Sequence, residues 1–323
     1  MHSALISVLA MAMATCVSGH ATMHGVWVNG KDQGDGRSVY IRSPPNNSPV
    51  KDLASPDLVC NVNGAKAVSG FVKAAAGDTL SFEWFHDNRN DDIIDGSHKG
   101  PVITWIAKYT EGAGTGAIWS KIAEDGFDGS EWAVDKLIRN QGKQDFTLPS
   151  SLAAGKYLIR QEIIALHESD AAFNQNPARG AQFYPSCVQV EVTGSGSVVP
   201  NQKFDFNVDY TYADPGILFN LYTSFTSYPI PGPEVFSGSG SSPDTSSSTS
   251  SPSATATQSS AQASLPTTTL ATVVTSASAV PATTEGSTAP VSTASPPSSC
   301  SSSRRRRRRA NKNAKRSIRK DAL

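Results

Sequence analysis

Short apolar segments of β type, separated by long polar segments, are the feature that most limits how this 323-residue chain can fold. Valine, isoleucine, threonine and aromatic residues concentrate in four of them, at residues 79–85, 101–109, 155–164 and 187–192. Glycine, proline, asparagine and aspartate punctuate the chain between them, and long loops are predicted at residues 31–58, 88–100, 113–135 and 168–180. Such short, punctuated strands are typical of an antiparallel β-sandwich whose loops carry the function. The sequence therefore predicts an all-β fold.

The first 19 residues are predicted to be a secretory signal peptide. Residues 4–16 are almost wholly apolar, and the stretch ends on the small residues Ser18 and Gly19. The apolar part is too short to span a bilayer, and no later segment is apolar enough to do so. We therefore predict a secreted protein whose mature chain begins at His20.

A histidine at the mature N-terminus has a chemistry that an internal histidine lacks. After cleavage, the free α-amine of His20 lies one short chain away from its own imidazole Nδ1. These two nitrogens can close a chelate ring on one metal ion, and nitrogen ligands in a planar arrangement suit Cu(II). The alternative is that His20 is merely the first residue of a frayed terminus.

The chain carries equal numbers of basic and acidic residues, 28 of each, but they are unevenly distributed. Eleven of the 28 basic residues lie in the polybasic tail at residues 304–323, which leaves residues 20–236 with an excess of acidic side chains. An acidic body argues against a nucleic-acid-binding domain. Residues 20–236 are also long enough to form one sandwich domain with a sizeable core.

The C-terminal third has a different composition from this body. Residues 237–303 are dominated by serine, threonine, alanine and proline, which predicts a disordered, O-glycosylated linker. The tail that follows begins with the arginine run Arg304–Arg309. It could attach the protein to an anionic surface such as the cell wall, or it could be removed by proteolysis.

Four cysteines are present in the sequence. Cys16 would leave with the signal peptide, and Cys300 lies in the low-complexity linker. Cys60 and Cys187 remain within the body, and the oxidising secretory route favours a disulfide between them.

Four further polar residues in the body could carry chemistry. His98 lies in a glycine-flanked loop immediately before a strand, although a histidine in such a place is often an ordinary surface residue. His167 follows the apolar run at residues 163–166. Gln182 and Tyr184 alternate onto one face of a strand, where they could serve a site or form a hydrogen-bonded pair without a catalytic role.

Several motifs, taken together, resemble one known family. His20 after a signal peptide is followed by SHKGP at 97–101, IIALH at 163–167 and GAQFY at 180–184. Further agreement comes from RSPP at 42–45, KIAEDG at 121–126, DPGILF at 214–219 and YPIPGP at 228–233. In this order, over about residues 20–236, the set resembles the fungal lytic polysaccharide monooxygenases of auxiliary-activity family 9, formerly glycoside hydrolase family 61.

The resemblance implies an immunoglobulin-like (fibronectin-like) sandwich with one copper ion on a flat face. His20 would bind it through its amine and Nδ1, His98 through Nε2, and Tyr184 from an axial position. His167 and Gln182 would form hydrogen bonds to the oxygen species at the metal. Cys60 and Cys187 match the family's disulfide.

The family's activity is implied in the same way. A monomeric enzyme would cleave the β-1,4-glucosidic bonds of cellulose or a related glucan by oxidation at C1 and/or C4. It would use O2 or H2O2 as co-substrate and an external electron donor. The alternative from another class is a copper-binding or polysaccharide-adhering surface protein that keeps the histidine ligands and has lost catalysis.

Other candidate residues have an ordinary explanation as well. Tyr228 could contribute an aromatic ring to the substrate face, or it could simply pack beside Pro229 and Pro231. His24 and His86 are interpreted as structural or surface residues. The acidic group at residues 91–95 lacks the ligand spacing of a calcium loop and is interpreted as a solvated loop.

Overall fold

A computed structural model describes residues 19–89 and 91–238 of the chain. The predicted signal peptide up to Ser18, the linker beyond Gly238, the polybasic tail, Cys16 and Cys300 lie outside the described residues. The elements in chain order are β1 (Thr22–Val28), β2 (Lys31–Asp35), β3 (Ile41–Arg42), α1 (Asp57–Cys60), β4 (Val72–Ala75), β5 (Thr79–Phe85), β6 (Val102–Lys108), β7 (Ser120–Asp125), α2 (Ala133–Arg139), β8 (Lys143–Thr147), β9 (Gly155–Ala165), β10 (Gln182–Thr193) and α3 (Phe206–Asp209).

The strands form two sheets, which confirms the predicted β-sandwich. One sheet has four antiparallel strands in the order β2-β1-β5-β8. The other has six, in the order β3-β10-β9-β6-β7, with β4 pairing parallel to β10 and the remaining pairs antiparallel. Within residues 19–89 and 91–238, no helix has the length and apolar character needed to cross a membrane.

The central strands β9 and β10 are buried on both faces. One face joins the core between the sheets, to which Ile163 and Tyr184 contribute beside Trp84 of β5. The other face joins a second core that contains Ile164 and Phe183. This second core is covered by side chains of the short helices and of the long C-terminal segment, including Leu58, Phe206 and Tyr210. Burial on both sides explains why the apolar residues of β9 occur in two consecutive runs, at residues 157–159 and 163–165, without alternation.

Two of the predicted long loops contain regular structure. The segment 31–58 includes β2 and β3, and the segment 113–135 includes β7 and the start of α2. Strand β2 was not predicted because its sequence, KDQGD, is polar and faces solvent. Only its pairing with β1 defines it as a strand. Helix α2 is short, and its apolar face consists of just Ala133, Val134 and Leu137.

The predicted disulfide between Cys60 and Cys187 is confirmed, and it joins α1 to β10 across 127 positions of sequence. Closing so long a loop stabilises the fold by about 4–5 kcal/mol in chain-entropy models. Beside the bridge, buried Arg160 of β9 donates hydrogen bonds to the carbonyl oxygens of Val59 (2.6 Å) and Leu58 (2.9 Å). Glu162 pairs with the same guanidinium at 2.6 Å, so the buried charge is compensated. Covalent and polar contacts thus fix α1 against the central strands.

His24 is a structural residue, as one of the two interpretations predicts, and it makes the fold sensitive to pH. Its ring is fully buried, and its Nε2 lies 3.0 Å from the Thr22 hydroxyl. Burial, and secondarily the charge of Arg37, lower the pKa of His24 to about 4. In the unfolded chain the pKa returns to its usual value of about 6.5, so the unfolded state binds the proton first. The contribution of His24 to the free energy of unfolding is therefore fully present above about pH 6.5 and is lost as pH falls toward 4.

We expect a His24→Gln variant to lose less stability than the wild type on acidification. The difference should be about 2 kcal/mol between roughly pH 7 and pH 4.5, because the variant no longer has this titrating ring. Urea unfolding of both metal-free mature chains at the two pH values measures it. An equal loss in both proteins would contradict the assignment.

Candidate metal centre

Two histidines far apart in sequence meet at one end of the sandwich. His20 lies two residues before β1, and His98 lies in the loop that leads into β6. The His98 loop is held by hydrogen bonds to the end of β9: the Leu166 amide donates to the Lys99 carbonyl at 2.9 Å. At Gly100 a Cβ atom would lie 1.8 Å from the Ile164 carbonyl oxygen, so only glycine permits this approach. The SHKGP sequence therefore places His98 by backbone geometry.

The rings of His20, His98 and Tyr184 surround one point. Their centroids are separated by 5.8 Å between the two histidines, 5.9 Å from His20 to Tyr184 and 6.1 Å from His98 to Tyr184. The planes of the two imidazoles are nearly perpendicular, at 87°. The structure thus brings together the three side chains that sequence reasoning named as metal ligands.

The free ring nitrogen of His98 and its neutral protonation state suit a metal ligand. Its Nε2 is buried and has no hydrogen-bonding partner among the described residues, although its side chain is only 4% exposed. Burial lowers the pKa of His98 to about 4, with further contributions from His167 and His20. The pKa of His20 is lowered as well, first by burial. Both imidazoles are therefore neutral near pH 7, and neutral nitrogen donors of this kind suit copper better than calcium or magnesium.

Gly19 lies against this position. Its carbonyl oxygen accepts a hydrogen bond from the Asp95 amide at 3.3 Å. A Cβ atom at Gly19 would lie 2.5 Å from His98 Cε1 and 3.2 Å from Nε2. Residue 19 therefore lies directly against the ring nitrogen that is free to bind a metal.

A polar group adjoins the three rings. Tyr184, completely buried, donates a 2.6 Å hydrogen bond from its hydroxyl to Gln182 Oε1. Gln182 Nε2 lies 3.3 Å from His167 Nε2, and the His167 ring packs on His98 with 4.2 Å between centroids. Burial raises the pKa of Tyr184 and lowers that of His167, so both are uncharged. Gln182 and Tyr184 do lie on one face of β10, with Phe183 on the opposite one.

Sequence reasoning missed three residues that contact this group. Glu168 accepts hydrogen bonds from Gln182 and from Lys51, and the Tyr222 hydroxyl donates to the His167 carbonyl oxygen at 3.0 Å. The position of Glu168 directly after His167 was a usable signal. Nothing in the local sequence around Lys51 or Tyr222 indicates that the fold brings them here.

The suggestion that Tyr228 contacts substrate does not agree with the structure. Its side chain is only 8% exposed, and its hydroxyl donates to the Gly216 carbonyl oxygen at 2.5 Å. Its ring packs against Trp132, with centroids 4.9 Å apart. Tyr228 is therefore a packing residue, with Trp132 as a neighbour where the sequence suggested Pro229 and Pro231. Tyr222, by contrast, is 73% exposed.

A second group of potential ligands lies on the loop after β5. His86, Asp91 and Asp92 each place one ligand atom within 4.8 Å of the others. The Asp91 Oδ2 atom already accepts hydrogen bonds from the amides of Asp87 (3.0 Å) and Asn88 (2.8 Å). Asp92 is exposed, and we assign no metal to this loop.

Comparison with known proteins agrees with the geometry. The model of Auxiliary Activity family 9 (formerly GH61) matches residues 20–228. A lytic polysaccharide monooxygenase of this family from Collariella virescens is 61% identical over 238 residues, which are 72% of this chain and 85% of that protein.

Solved structures give the same result. CvAA9A superimposes with a TM-score of 0.67 at 62% identity, covering 68% of this chain and 99% of that one. A cellulose-active polysaccharide monooxygenase from M. thermophila superimposes with a TM-score of 0.56 at 31% identity, covering 67% of this chain and 99% of that one. The chain belongs to auxiliary activity family 9, and it is a lytic polysaccharide monooxygenase, an oxidoreductase.

Proposed function

We propose that the mature chain begins at His20 and binds one copper ion through the His20 amine and Nδ1 and through His98 Nε2. The ring of Tyr184, which adjoins both histidines, would lie beside the bound ion. The observation that carries this proposal is that His98 Nε2 has no hydrogen-bonding partner among the described residues, lies beside the ring of His20 and is covered by Gly19, the residue that cleavage would remove. When bound, copper would supply the redox chemistry that uses O2 or H2O2 and an external electron donor to oxidise a glycosidic carbon.

The residues around the ligands have separate tasks in this proposal. Tyr184 is uncharged and buried, so it would adjoin the ion without adding an anionic ligand. His167 can donate a hydrogen bond and hold or transfer a proton at the position where the co-substrate would react, and the Gln182 amide beside it would orient the ring. A protein that only captured copper would not need this polar group. Its presence favours the enzyme over a non-catalytic surface protein.

The proposed substrate is cellulose or a related β-1,4-glucan, oxidised at C1 and/or C4. The M. thermophila enzyme of the same fold is described as cellulose-active. In this chain the exposed ring of Tyr222 adjoins the site through its hydrogen bond to His167. An exposed aromatic ring offers an apolar surface with a polar edge, which suits the face of a sugar ring.

Secretion and domain organisation complete the proposal. Enzymes of this family are secreted fungal proteins. We assign residues 1–19 to a signal peptide, residues 20–236 to a monomeric catalytic domain and residues 237–303 to an O-glycosylated linker. The polybasic tail at residues 304–323 would associate with anionic cell-wall components.

We expect the copper-loaded mature chain to release oxidised oligosaccharides from cellulose in the presence of ascorbate. A His98→Ala variant should release none, because it lacks one of the proposed ligands. Mass spectrometry of the soluble products measures the outcome and distinguishes C1 from C4 oxidation.

The matched control is His24→Gln, which removes a buried histidine outside the centre and should retain activity. Stoichiometric copper binding without oxidised products would favour the non-catalytic protein instead.

A chain that retains Gly19 should bind Cu(II) much more weakly than one that begins at His20. The extra residue turns the amine into an amide and covers His98 Nε2. Mutation of residues that hydrogen-bond to metal ligands usually lowers metal affinity by about 10–100-fold. Loss of a direct ligand should have a larger effect, so we expect Cu(II) affinity to fall by at least about 100-fold. Calorimetric titration of the two chains measures it, and equal affinities would exclude the proposed ligand set.

Replacement of Tyr222 by alanine should weaken adsorption to cellulose by roughly fivefold, because about 1 kcal/mol of ring contact is lost. Adsorption isotherms of the copper-loaded proteins measure this effect. Tyr228→Phe is the control: it removes a buried hydroxyl and should leave adsorption unchanged. If Tyr222→Ala adsorbs like the wild type, this ring does not contact the substrate.

A further inference from the structure

Four polar side chains form a hydrogen-bonded series from the protein surface to the buried Tyr184. Lys51 Nζ donates to Glu168 Oε2 at 3.2 Å, and Gln182 Nε2 donates to the same oxygen at 2.9 Å. Gln182 Oε1 in turn accepts the hydroxyl proton of Tyr184 at 2.6 Å. The two outer side chains, Lys51 and Glu168, are partly exposed, whereas Gln182 and Tyr184 are buried.

The backbone fixes the positions of Lys51 and Glu168, the outer two members of this hydrogen-bonded series. Val50 and Phe183 exchange two hydrogen bonds of 2.8 Å, which places Lys51 beside Gln182. The Gly180 amide donates to the Glu168 carbonyl oxygen at 2.8 Å. Gly180 has a φ of 109° and lies so close to Phe173 that a side chain would not fit. The carboxylate of Glu168 is therefore held beside the amide of Gln182 by the fold itself.

We propose that Glu168, held by Lys51, is a positioning residue that sets the direction of the Gln182 amide and thereby the proton positions on Tyr184 and His167. The proposal concerns protein groups alone; its consequence for catalysis rests on the function proposed above.

The direction of the Gln182 amide follows from the chemistry of a carboxylate. An ionised carboxylate only accepts hydrogen bonds, so it requires the amide nitrogen to face it. The reversed amide would bring its oxygen against a carboxylate oxygen and lose a charge-assisted hydrogen bond. With the nitrogen toward Glu168, Oε1 faces Tyr184 and can only accept. The phenol proton is therefore directed to Gln182, and the lone pairs of Tyr184 are left for its other neighbours.

The same amide defines which nitrogen of His167 carries the proton. One N–H of Gln182 is directed to Glu168, and the nitrogen lies 3.3 Å from His167 Nε2. Because this nitrogen is a donor, Nε2 accepts, and the neutral ring carries its proton on Nδ1. Nδ1 is buried and has no hydrogen-bonding partner within the described part of the chain. It is thus an available donor beside His98.

A purely structural ion pair is the competing explanation. The Lys51 and Glu168 side chains are 18% and 28% exposed, and pairs near the surface contribute little stability. Such a pair would stabilise the loop slightly without affecting the tautomer of a histidine. The tautomer therefore distinguishes the two explanations.

The test is long-range 1H–15N NMR of His167 in the full mature chain, with and without Cu(I), which is diamagnetic. In the wild type we expect the Nδ1–H tautomer. In Glu168→Gln, an uncharged amide of similar shape can either donate or accept, so the tautomer ratio should shift toward Nε2–H by about tenfold. The matched control is Asp170→Asn, which removes a nearby carboxylate paired with Arg179 and should keep the wild-type tautomer.

Two further measurements test whether the change at Glu168 also affects the metal site. The Cu(II) EPR spectrum of Glu168→Gln should differ from that of the wild type, because Tyr184 is no longer held in one hydrogen-bonding state. The initial rate of oxidised-product release should fall by about tenfold, as is usual for residues that orient metal ligands. Lys51→Met should shift the tautomer ratio in the same direction to a smaller extent, and it tests the proposal if Glu168→Gln fails to fold.

An unchanged tautomer and an unchanged EPR spectrum in both variants would overturn the positioning role. Failure of the proposed function is separate, because it would appear as absent copper binding or absent product in the wild type, whereas the tautomer is measured in the metal-free chain as well.

Discussion

The close contact between the His98 loop and the end of β9 is the constraint on which the centre depends. Gly100 lets the loop backbone approach the Ile164 carbonyl closely, and the Leu166 amide donates to Lys99 at 2.9 Å. Since His98 and His167 lie on either side of this contact, their rings are forced to pack together, with centroids 4.2 Å apart. The pairing of β1 with β5 then brings His20 to the same end of the sandwich. The proposed ligands are positioned by backbone contacts, not by flexible side chains.

This arrangement buries polar atoms that have no partner within the described residues, namely His98 Nε2 and His167 Nδ1. Each such atom costs about 1–3 kcal/mol, which a folded protein tolerates only if the surroundings compensate. The two cores on either side of β9 and β10, and the disulfide from Cys60 to Cys187, provide that stability. Metal binding at His98 would relieve part of the cost, because the nitrogen would then have a partner. Functional sites commonly depart from full hydrogen bonding in this way.

The side chains at the centre are uncharged, whereas those at its edge are ionised. The histidine rings and Tyr184 are kept uncharged by burial, which preserves the nitrogen lone pairs for a metal. The ionised pair of Lys51 and Glu168 lies farther out, where solvent lowers its desolvation cost. Gln182 connects the two regions because an amide can donate on one side and accept on the other. An anion near the surface can therefore influence proton positions in the interior without placing a charge there.

Local sequence was enough to predict the sandwich and the disulfide, and the resemblance carried by short motifs named the residues whose rings meet at the centre. Strand composition, glycine and proline punctuation, and short motifs such as SHKGP and GAQFY act over a few residues, so the sequence displays them directly. The polar strand β2, the short helix α2 and the burial of Tyr228 were not predictable in this way, since contacts with distant segments define them. The same holds for Lys51, which lies 117 positions from its partner Glu168. Sequence by itself determined which chemical groups this protein possesses. Only the tertiary structure decided which of them share hydrogen bonds, because burial and proton positions depend on neighbours that the chain brings together after folding.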